Sequence, residues 1–308
     1  MRNLLVTTFV ALLATGCAVS SHATQKATLG VPRSSTELLA VIDQPGPVTL
    51  ETVASCDWQV DRSGLINLEH PRAKEAGLKD GPEAIQVFFH VLRHPTRGTF
   101  IVDTGVEKAL RDQPDKAAVR GLVASFLKRE TMKFNDPLGD WLARQQEPLQ
   151  GVFLTHLHLD HIMGMPDVPA GTAVYTGPGE ASDSSFMNML AQGTANRQLE
   201  GKAPLSEWAY QPDATGRFAG VLDIFGDGSV WALWVPGHTP GSTAYVVRTP
   251  QGPVLLTGDA SHTRWGWEHD VEPGTFSADI PKSADSFARL RKLAAEHPTL
   301  DVRFGHQR

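Results

Sequence analysis

The sequence contains very little cysteine: Cys17 and Cys56 are the two thiols in 308 residues. Two cysteines cannot build the dense crosslinks of small disulfide-rich folds, so no disulfide framework supports this fold. Nothing near Cys56 in the sequence resembles an activating site. We therefore predict that Cys56 is a small buried side chain rather than a nucleophile.

An excess of positive charge is also lacking. The formal net charge is −6, the isoelectric point is about 6.0, and no basic stripe stands out. This argues against nucleic acid as the main partner, because phosphate backbones are bound by clustered lysine and arginine. Hydrophobic residues make up 41% and charged residues 20%. That composition is ordinary for a globular protein with a sizeable core, in one large domain or two small ones.

The N-terminal apolar run is short. It extends from Leu4 to Leu13, after Arg2, and is too short for a permanent membrane-spanning helix. Such a run is typical of an export signal, and the following Leu13-Ala14-Thr15-Gly16-Cys17 resembles the lipobox of bacterial lipoproteins. We expect residues 1–16 to be a lipoprotein-type signal peptide, with lipid on Cys17 and the mature protein in the periplasm or envelope. The alternative is an ordinary signal peptide, cleaved after Ala23.

Regular structure is predicted along most of the chain. Apolar segments between turn signals predict strands over residues 48–53, 58–60, 84–92, 99–103, 152–154, 172–175, 221–225, 230–235, 243–248, 254–257 and 301–304. Helical spacing predicts helices over 35–41, 119–128, 138–146, 182–192 and 283–296. Strands followed by helices occur twice, so we expect two packed β-sheets with helices outside. Residues 17–46 are small and polar, which indicates a tether and an entry arm.

Metal-ligand side chains are concentrated in Thr155-His156-Leu157-His158-Leu159-Asp160-His161. The segment follows the predicted strand 152–154. In an extended chain alternate side chains share a face, so we expect His156 and His158 to point the same way. Asp160 and His161 then fall where the strand gives way to a loop. Imidazole and carboxylate ligands at this spacing predict a site for one or two metal ions.

Three further ligand candidates follow predicted strands in the same manner. They are His238 in Pro236-Gly237-His238-Thr239-Pro240-Gly241, Asp259 in Gly258-Asp259-Ala260, and His306 after Gly305. A single histidine at a strand end is more often structural than functional. The repetition of a strand followed by a ligand, four times along the chain, favours one composite metal site.

These motifs, with Val102-Asp103-Thr104-Gly105, resemble those of the metallo-β-lactamase fold superfamily over residues 48–308. The resemblance implies an α/β fold, a four-layer αβ/βα sandwich, with the hydrolase domain over 47–308. It implies that one metal is held by His156, His158 and His238, and a second by Asp160, His161 and His306. It also implies that Asp259 bridges the two ions and that Asp103 orients a ligand histidine.

The implied ligand set contains five imidazoles and two carboxylates, which suits two divalent ions. Zn²⁺ fits best, and Mn, Co or Fe are alternatives. In such sites a hydroxide shared by the ions attacks a carbonyl or phosphoryl centre, and Asp160 helps to stabilise the leaving atom. No serine or cysteine nucleophile is then needed.

The substrate is predicted less sharply than the metals. Within the superfamily the chain is most similar to N-acyl-homoserine lactonases, which implies hydrolysis of a lactone or related ester. A phosphodiesterase, an organophosphate hydrolase, a broad esterase and an inactive metal-bearing lipoprotein remain alternatives. Lactonases commonly carry tyrosine three residues after the bridging aspartate, where this chain has His262. His262 either replaces that phenol as a donor or proton relay, or lines the rim.

Seven large side chains are candidates for the rim of the pocket, with core packing as the alternative for each. They are Met163, Met165, Phe186, Met187, Met189, Trp265 and Trp267. The sequence predicts no oligomeric state.

Overall fold

The computed structural model describes residues 18–184 and 186–308, without the side chains of residues 186–190. The predictions for residues 1–16 and for Cys17 therefore lie outside the described residues. The strands within these ranges are β1 (Thr24–Lys26), β2 (Val31–Arg33), β3 (Thr49–Asp61), β4 (Pro82–His94), β5 (Gly98–Val102), β6 (Lys133–Phe134), β7 (Leu149–Phe153), β8 (Ala173–Thr176), β9 (Leu205–Glu207), β10 (Gly220–Asp223), β11 (Val230–Trp234), β12 (Thr243–Thr249), β13 (Gly252–Leu256) and β14 (Asp301–Arg303).

The helices in the same ranges are mostly short. They are α1 (Ser35–Leu39), α2 (Arg62–Leu65), α3 (Pro71–Glu75), α4 (Lys108–Asp112), α5 (Leu122–Phe126), α6 (Leu138–Ala143), α7 (Leu159–Ile162), α8 (Phe186–Gln198), α9 (Arg264–His269) and α10 (Ile280–Glu296), with single 3₁₀ turns at Arg129–Thr131, Met165–Asp167 and Gly258–Ala260. Among the described residues, no helix is both long and apolar enough to cross a membrane.

Two mixed sheets form the centre of the molecule. The larger has the strand order β1-β9-β8-β7-β5-β4-β3-β6, and the smaller has the order β14-β13-β12-β11-β10-β2. In the larger sheet β5 and β7 are parallel neighbours. In the smaller sheet β13 and β14 are parallel neighbours. Parallel strands end at the same edge of a sheet, so residues that follow each of these pairs lie side by side.

The two sheets pack face to face. Their shared core contains Phe100 and Phe153 from the larger sheet and Tyr245 from the smaller. The Phe153 ring is stacked on that of Phe100, with 5.0 Å between centroids, and lies 6.1 Å from that of Tyr245. Burying an aromatic side chain of this size contributes roughly 1.5–3 kcal/mol. The contact between the sheets is therefore a principal source of stability.

Helices cover the outer faces. On β7, Val152 and Leu154 turn away from Phe153 and pack with Leu138 and Trp141 of α6. On the smaller sheet a separate core includes Leu290 and Leu293 of α10, and α1 and its C-terminal extension contribute Leu38 and Ile42. The period-two alternation along β7 separates the two cores. The order of layers is helix, sheet, sheet, helix, so the predicted four-layer αβ/βα sandwich is confirmed.

The described part of residues 17–46, predicted to be a tether and an ordered entry arm, is ordered and adds a strand to each sheet. β1 pairs in parallel with β9, and β2 pairs antiparallel with β10, so this segment supplies an edge strand to each sheet. Val19 is also buried in the core. Strands of three residues are too short to show an alternating pattern, which explains why the sequence did not reveal them. The folded domain therefore begins well before residue 47.

Two other predictions differ from the structure in extent. The strands predicted over 48–53 and 58–60 are one strand, β3, interrupted by a β-bulge between Ala54 and Cys56. The helix predicted over 119–128 is limited to α5, because Gly121 before it and Lys128 after it have positive φ angles of 64° and 48°. Cys56 is fully buried, as predicted.

Candidate metal centre

The predicted ligands lie on loops at one edge of the sandwich. His156 and His158 are in the loop after β7 rather than in a strand, and Asp160 and His161 are in α7, for which His158 is the N-cap residue. The two histidines therefore lie in an extended loop rather than in a strand. Their side chains point to the same centre, as predicted, with 4.6 Å between ring centroids.

The remaining predicted ligands come from the smaller sheet. They are His238 between β11 and β12, Asp259 in the 3₁₀ turn after β13, and His306 after β14. Glycines allow the close approach of these loops: a Cβ atom on Gly305 would lie 2.2 Å from Asp259 Oδ1, and one on Gly237 would lie 2.2 Å from the Ser283 nitrogen. Both contacts are shorter than any side chain tolerates, so these positions require glycine.

The structure brings three of the predicted ligands together as a three-histidine group, consisting of His156, His158 and His238. His238 Nε2 lies 3.2 Å from His156 Nε2 and 2.9 Å from His158 Nδ1. Zn–N bonds of about 2.0–2.1 Å in a tetrahedron separate neighbouring ligand atoms by roughly 3.3 Å. The nitrogens of this group thus converge at the spacing expected around one ion.

A second, mixed group consists of Asp160, His161, Asp259 and His306. Asp259 Oδ2 lies 3.3 Å from His161 Nε2. Asp160 Oδ2 lies 3.3 Å from His306 Nε2, and Asp259 Oδ1 lies at the same distance from that nitrogen. These four side chains offer two imidazole nitrogens and two carboxylates, a combination that divalent transition metals accept.

Asp259 connects the two groups. Its Oδ2 atom lies 3.5 Å from His238 Nε2 and 3.8 Å from His156 Nε2, in addition to the 3.3 Å contact with His161. The Asp259 side chain is almost completely buried, which prevents water from taking over these contacts. The position of this carboxylate is what a bridging ligand requires.

Asp103 and Thr155 orient one histidine of each group. His161 Nδ1 donates to Asp103 Oδ2 at 2.8 Å. The Thr155 hydroxyl donates to the same carboxylate at 2.9 Å, and its oxygen lies 3.1 Å from His156 Nδ1. When these rings are neutral their proton is on Nδ1, so Nε2 is the atom left to bind a metal at the centre. Asp103 thus has the orienting position that the resemblance implies.

His306 and His262 are oriented by backbone carbonyls. His306 Nδ1 donates to the oxygen of Gln86, and His262 Nδ1 donates to that of Leu65, both at 3.0 Å. A carbonyl oxygen only accepts, so both rings also keep Nε2 unprotonated in their neutral form. Four imidazoles of the site therefore have their tautomer set by a fixed acceptor.

The two groups differ in their electrostatics. Burial lowers the pKa of His156, His158 and His238 below the usual histidine value, which keeps these rings neutral. In the mixed group burial acts in the same sense, but adjacent carboxylates, Asp259 above all, outweigh it. They raise the pKa of His161 and that of His306, the latter to about 10.

Glu180, which the sequence analysis missed, holds the loops of the three-histidine group. It lies after β8 and is almost fully buried. Its Oε2 accepts from the Leu157 nitrogen at 3.0 Å, and its Oε1 accepts from the Gly241 nitrogen at 2.7 Å and from the Thr239 hydroxyl at 2.5 Å. One carboxylate therefore joins the loop of His156 and His158 to that of His238. A lone glutamate in a loop carries no signal by which the sequence could have revealed it.

Unpaired buried atoms support a metal at this centre. His161 Nε2 and Asp259 Oδ1 have no hydrogen-bond partner among the described residues. An unsatisfied buried polar atom costs about 1–3 kcal/mol, so its retention suits an atom that binds a ligand. The donor set, with no thiolate and two carboxylates, fits a dinuclear site for divalent ions.

The other side chains predicted near the site have different positions. Met163 and Met165 are fully buried in the core. Trp267 packs against the rings of Phe287 and Phe304, and Trp265 is stacked on that of His269 within α9. Both tryptophans are only partly buried, at the edges of two hydrophobic cores, so an exposed wall stays a prediction. The side chains of Phe186, Met187 and Met189 lie outside the described residues.

His262 is fully buried beside Asp259, with 3.1 Å between its Nε2 and Asp259 Oδ2. The prediction that it lines the rim is wrong. His158 and Asp160 are the partly exposed members of the two groups. The centre therefore opens to solvent on their side, away from His262.

A separate cavity of about 550 Å³ adjoins His306, and its lining includes Trp58, Ile85 and Arg264.

Comparison with known proteins finds relatives among N-acyl homoserine lactonases. N-acyl homoserine lactonase AttM of Agrobacterium fabrum is 32% identical over 147 residues, which cover 47% of this chain and 54% of that protein. The chain thus spans about half the length of this curated relative. The crystal structure of a quorum-quenching N-acyl homoserine lactone lactonase matches with a TM-score of 0.59 at 21% identity, covering 86% of this chain and 94% of the other.

A further solved structure is AidC, described as a dizinc quorum-quenching lactonase in complex with a product. It matches with a TM-score of 0.57 at 13% identity, covering 91% of this chain and 92% of the other. At such identities the likeness shows the fold alone. The sequence profile of the metallo-beta-lactamase superfamily matches residues 83–306 and so includes every predicted ligand. Because this profile matches most of its length, the chain belongs to the metallo-beta-lactamase superfamily.

Proposed function

We propose that the protein is a dinuclear metal-dependent hydrolase that opens a lactone or related ester to a hydroxy acid. The observation that carries this proposal is the position of Asp259 Oδ2, within 4 Å of ring nitrogens from both ligand groups. One carboxylate shared by two sets of ligands is the arrangement of a two-metal site. The similarity to N-acyl homoserine lactonase AttM favours a lactone over other acyl substrates.

Two divalent ions, for which we propose Zn²⁺, supply Lewis-acid chemistry: they acidify water and polarise a carbonyl oxygen. His156, His158 and His238 would hold one ion, and Asp160, His161 and His306 the other, with Asp259 between them. Asp103 fixes His161 and, through Thr155, His156, so that both rings keep their lone pairs towards the centre. The protein thus fixes the positions of both rings before a metal binds.

Asp160 is the acidic group best placed to act on the substrate. It is partly exposed, whereas Asp259 is not, and it lies on the side where the centre opens to solvent. Ring opening adds water across the acyl C–O bond, so a proton must reach the leaving alkoxide. We propose that Asp160 carries this proton, which would make it a catalytic residue in addition to a ligand.

The decisive experiment is a substrate panel followed by acid release at constant pH, since each ester or lactone hydrolysed yields one carboxylic acid. The panel contains homoserine lactones of graded acyl length, aryl esters and nitrophenyl phosphodiesters, with protein loaded with Zn²⁺. We expect lactones to give the highest kcat/KM. Faster hydrolysis of phosphodiesters would replace the proposal by a phosphodiesterase or organophosphate hydrolase, and no turnover at all would favour a binding lipoprotein. His94, a buried histidine whose Nε2 donates to Asp227 Oδ2, gives the control variant H94N, which should keep activity.

We also propose that the protein is exported and anchored by lipid on Cys17. The basis is the sequence alone: the short apolar run and the lipobox-like segment before that cysteine. A mass measurement of the mature N-terminus tests it. A diacylated or triacylated Cys17 is expected, and the variant C17S should lose the added mass and the membrane fraction. An unacylated N-terminus beyond Cys17 would contradict the anchor.

A further inference from the structure

His262 has the structural features of a ligand although the superfamily motifs do not include it. Its Nδ1 is bonded to the Leu65 carbonyl, and its Nε2 has no hydrogen-bond partner among the described residues. His161, a predicted ligand, shows the same combination: Nδ1 is bonded to Asp103 and Nε2 lacks a partner. The two Nε2 atoms lie 3.1 Å and 3.3 Å from Asp259 Oδ2.

The close contact between His262 Nε2 and Asp259 Oδ2 is favourable only if a cation, either a proton or a metal ion, lies beside them. With Nδ1 donating to a carbonyl, neutral His262 has only a lone pair at Nε2. The Asp259 carboxylate likewise offers only lone pairs. Two acceptors 3.1 Å apart repel each other, and in a dry interior that repulsion is scarcely screened. A proton on Nε2 or a metal ion beside it resolves the conflict.

The surrounding side chains favour the metal over the proton. His262 Nε2, His238 and Asp259 place ligand atoms within 4.8 Å of one another, which makes them a third set able to hold an ion. The His262 ring is stacked parallel to that of His306, at 5.8 Å and 11°. A protonated His262 would lie between these ligands and add a positive charge where two divalent cations are expected. Like charges at such distances are strongly unfavourable in a buried site.

We propose that His262 is an additional metal ligand, so that six imidazoles rather than five hold the two ions. The inference rests on the proposed metal centre and extends it. His262 would share an ion with Asp259 and thereby tie that carboxylate to the side of His238. Nitrogen ligands favour zinc, cobalt and iron over manganese and magnesium, so the extra imidazole also narrows the choice of metal.

Counting the imidazoles bound to metal in the unaltered protein tests the proposal directly. The protein is labelled with ¹⁵N-histidine and loaded with ¹¹³Cd²⁺, and one-bond coupling between cadmium and ring nitrogen is recorded by NMR. We expect six coupled imidazoles, with the sixth signal absent from H262Q. Five coupled imidazoles, with His262 carrying a proton on Nε2 or a free lone pair, would overturn the inference and leave the two-metal site intact. No bound cadmium would overturn both.

Two variants measure the contribution of the ligand. H262F keeps a flat ring for stacking on His306 but has no lone pair, and H262Q keeps a polar group. Both should bind at least one Zn²⁺ roughly tenfold or more weakly in chelator competition, and should change the absorption spectrum of the Co²⁺-loaded protein. The control is H94N, which alters a buried histidine that belongs to none of the three ligand groups. Wild-type affinity and spectrum in both His262 variants would refute the role.

Discussion

The three-histidine group and the mixed group are built from opposite kinds of chemistry. His156, His158 and His238 form a cluster without a carboxylate of its own, in which burial lowers the pKa of each ring. The mixed group contains Asp160 and Asp259, whose contacts with His161 and His306 raise the pKa of both histidines. The three-histidine group thus consists of neutral rings whose lone pairs converge. In the mixed group positively charged imidazoles lie beside negatively charged carboxylates.

This difference indicates what each group needs from a metal. In the mixed group imidazolium and carboxylate offset part of each other's charge, so protons can partly replace an ion there. In the other group His238 Nε2 lies 3.2 Å from His156 Nε2 and 2.9 Å from His158 Nδ1, with no carboxylate belonging to that group alone. A ring proton can satisfy one of these contacts, whereas a shared cation is bound by all three rings at once. We therefore expect the three-histidine group to be more sensitive to the loss of a ligand.

The largest effect is expected from H158A compared with H306A. H158A leaves two ring nitrogens of its own group beside the shared Asp259, whereas H306A leaves a second carboxylate, Asp160, as well as His161 and Asp259. We expect H158A to lower kcat/KM by ~10⁴-fold, the loss of several kcal/mol of Lewis-acid stabilisation, with the fold kept. Metal analysis should give about one ion per chain for H158A and a weakened second ion for H306A. The reverse order would contradict the comparison.

A somewhat smaller effect is expected from D259N, which tests the connection between the groups. The amide keeps one oxygen but replaces the other by a nitrogen that cannot bind a metal. We expect kcat/KM to fall by about 10³-fold, with both ions bound more weakly, because Asp259 contacts histidines of both groups. Circular dichroism should show an unchanged fold. Wild-type kinetics would mean that the two groups act without a shared carboxylate.

The sequence predicted most of this candidate centre, because many of the ligand residues lie close together along the chain. His156, His158, Asp160 and His161 lie within six consecutive residues, so their joint presence is visible without any knowledge of the fold. The strands β7, β11 and β13 are long apolar segments, which made the strand-end positions of His238 and Asp259 visible as well. What spacing alone did not supply was the pairing of groups, which depends on contacts between the two sheets and came from the resemblance.

The features that escaped prediction depend on tertiary contacts. Glu180 acquires its role only because β8 ends beside the Gly241 loop, 61 residues further along. The orientation of the His262 ring depends on a hydrogen bond to the Leu65 carbonyl, 197 residues earlier in the chain. β1 and β2 are strands because partners exist for their edges, not because their three residues favour extension. Single polar residues in loops and very short strands carry too little local information to be found in advance.

The variant D103N tests both groups at once, because Asp103 orients His161 directly and His156 through Thr155. An asparagine amide facing His161 Nδ1 would donate a hydrogen bond to it. The ring proton would then move to Nε2, and Nε2 would no longer offer a lone pair to a metal. Loss of such an orienting carboxylate costs roughly 10–100-fold in metal affinity or activity. We expect the loss to fall mainly on the mixed group, because His156 keeps its bond to the Thr155 oxygen. Chelator competition that resolves the two ions measures this, and an equal loss at both would contradict it.

The smallest effect, and the most selective, is expected from E180Q. Glu180 accepts bonds from the Leu157 and Gly241 nitrogens, and the amide of glutamine must turn a donor towards one of them. The unpaired backbone donor should cost about 1–3 kcal/mol of folding stability. The histidine loops would then be less firmly held, so zinc binding to the three-histidine group should weaken by roughly tenfold, with the mixed group unaffected.

Glu107 supplies the control that separates positioning from general stability. Like Glu180 it is buried, it accepts a backbone bond, from the Ala118 nitrogen at 2.7 Å, and burial raises the pKa of both carboxyls to about 7. Its carboxylate does not join the loops that carry His156, His158 and His238. E107Q should therefore lower the melting temperature about as much as E180Q while keeping wild-type zinc affinity. If both variants lost zinc equally, the three-histidine group would depend on the stability of the whole domain rather than on the Glu180 contacts.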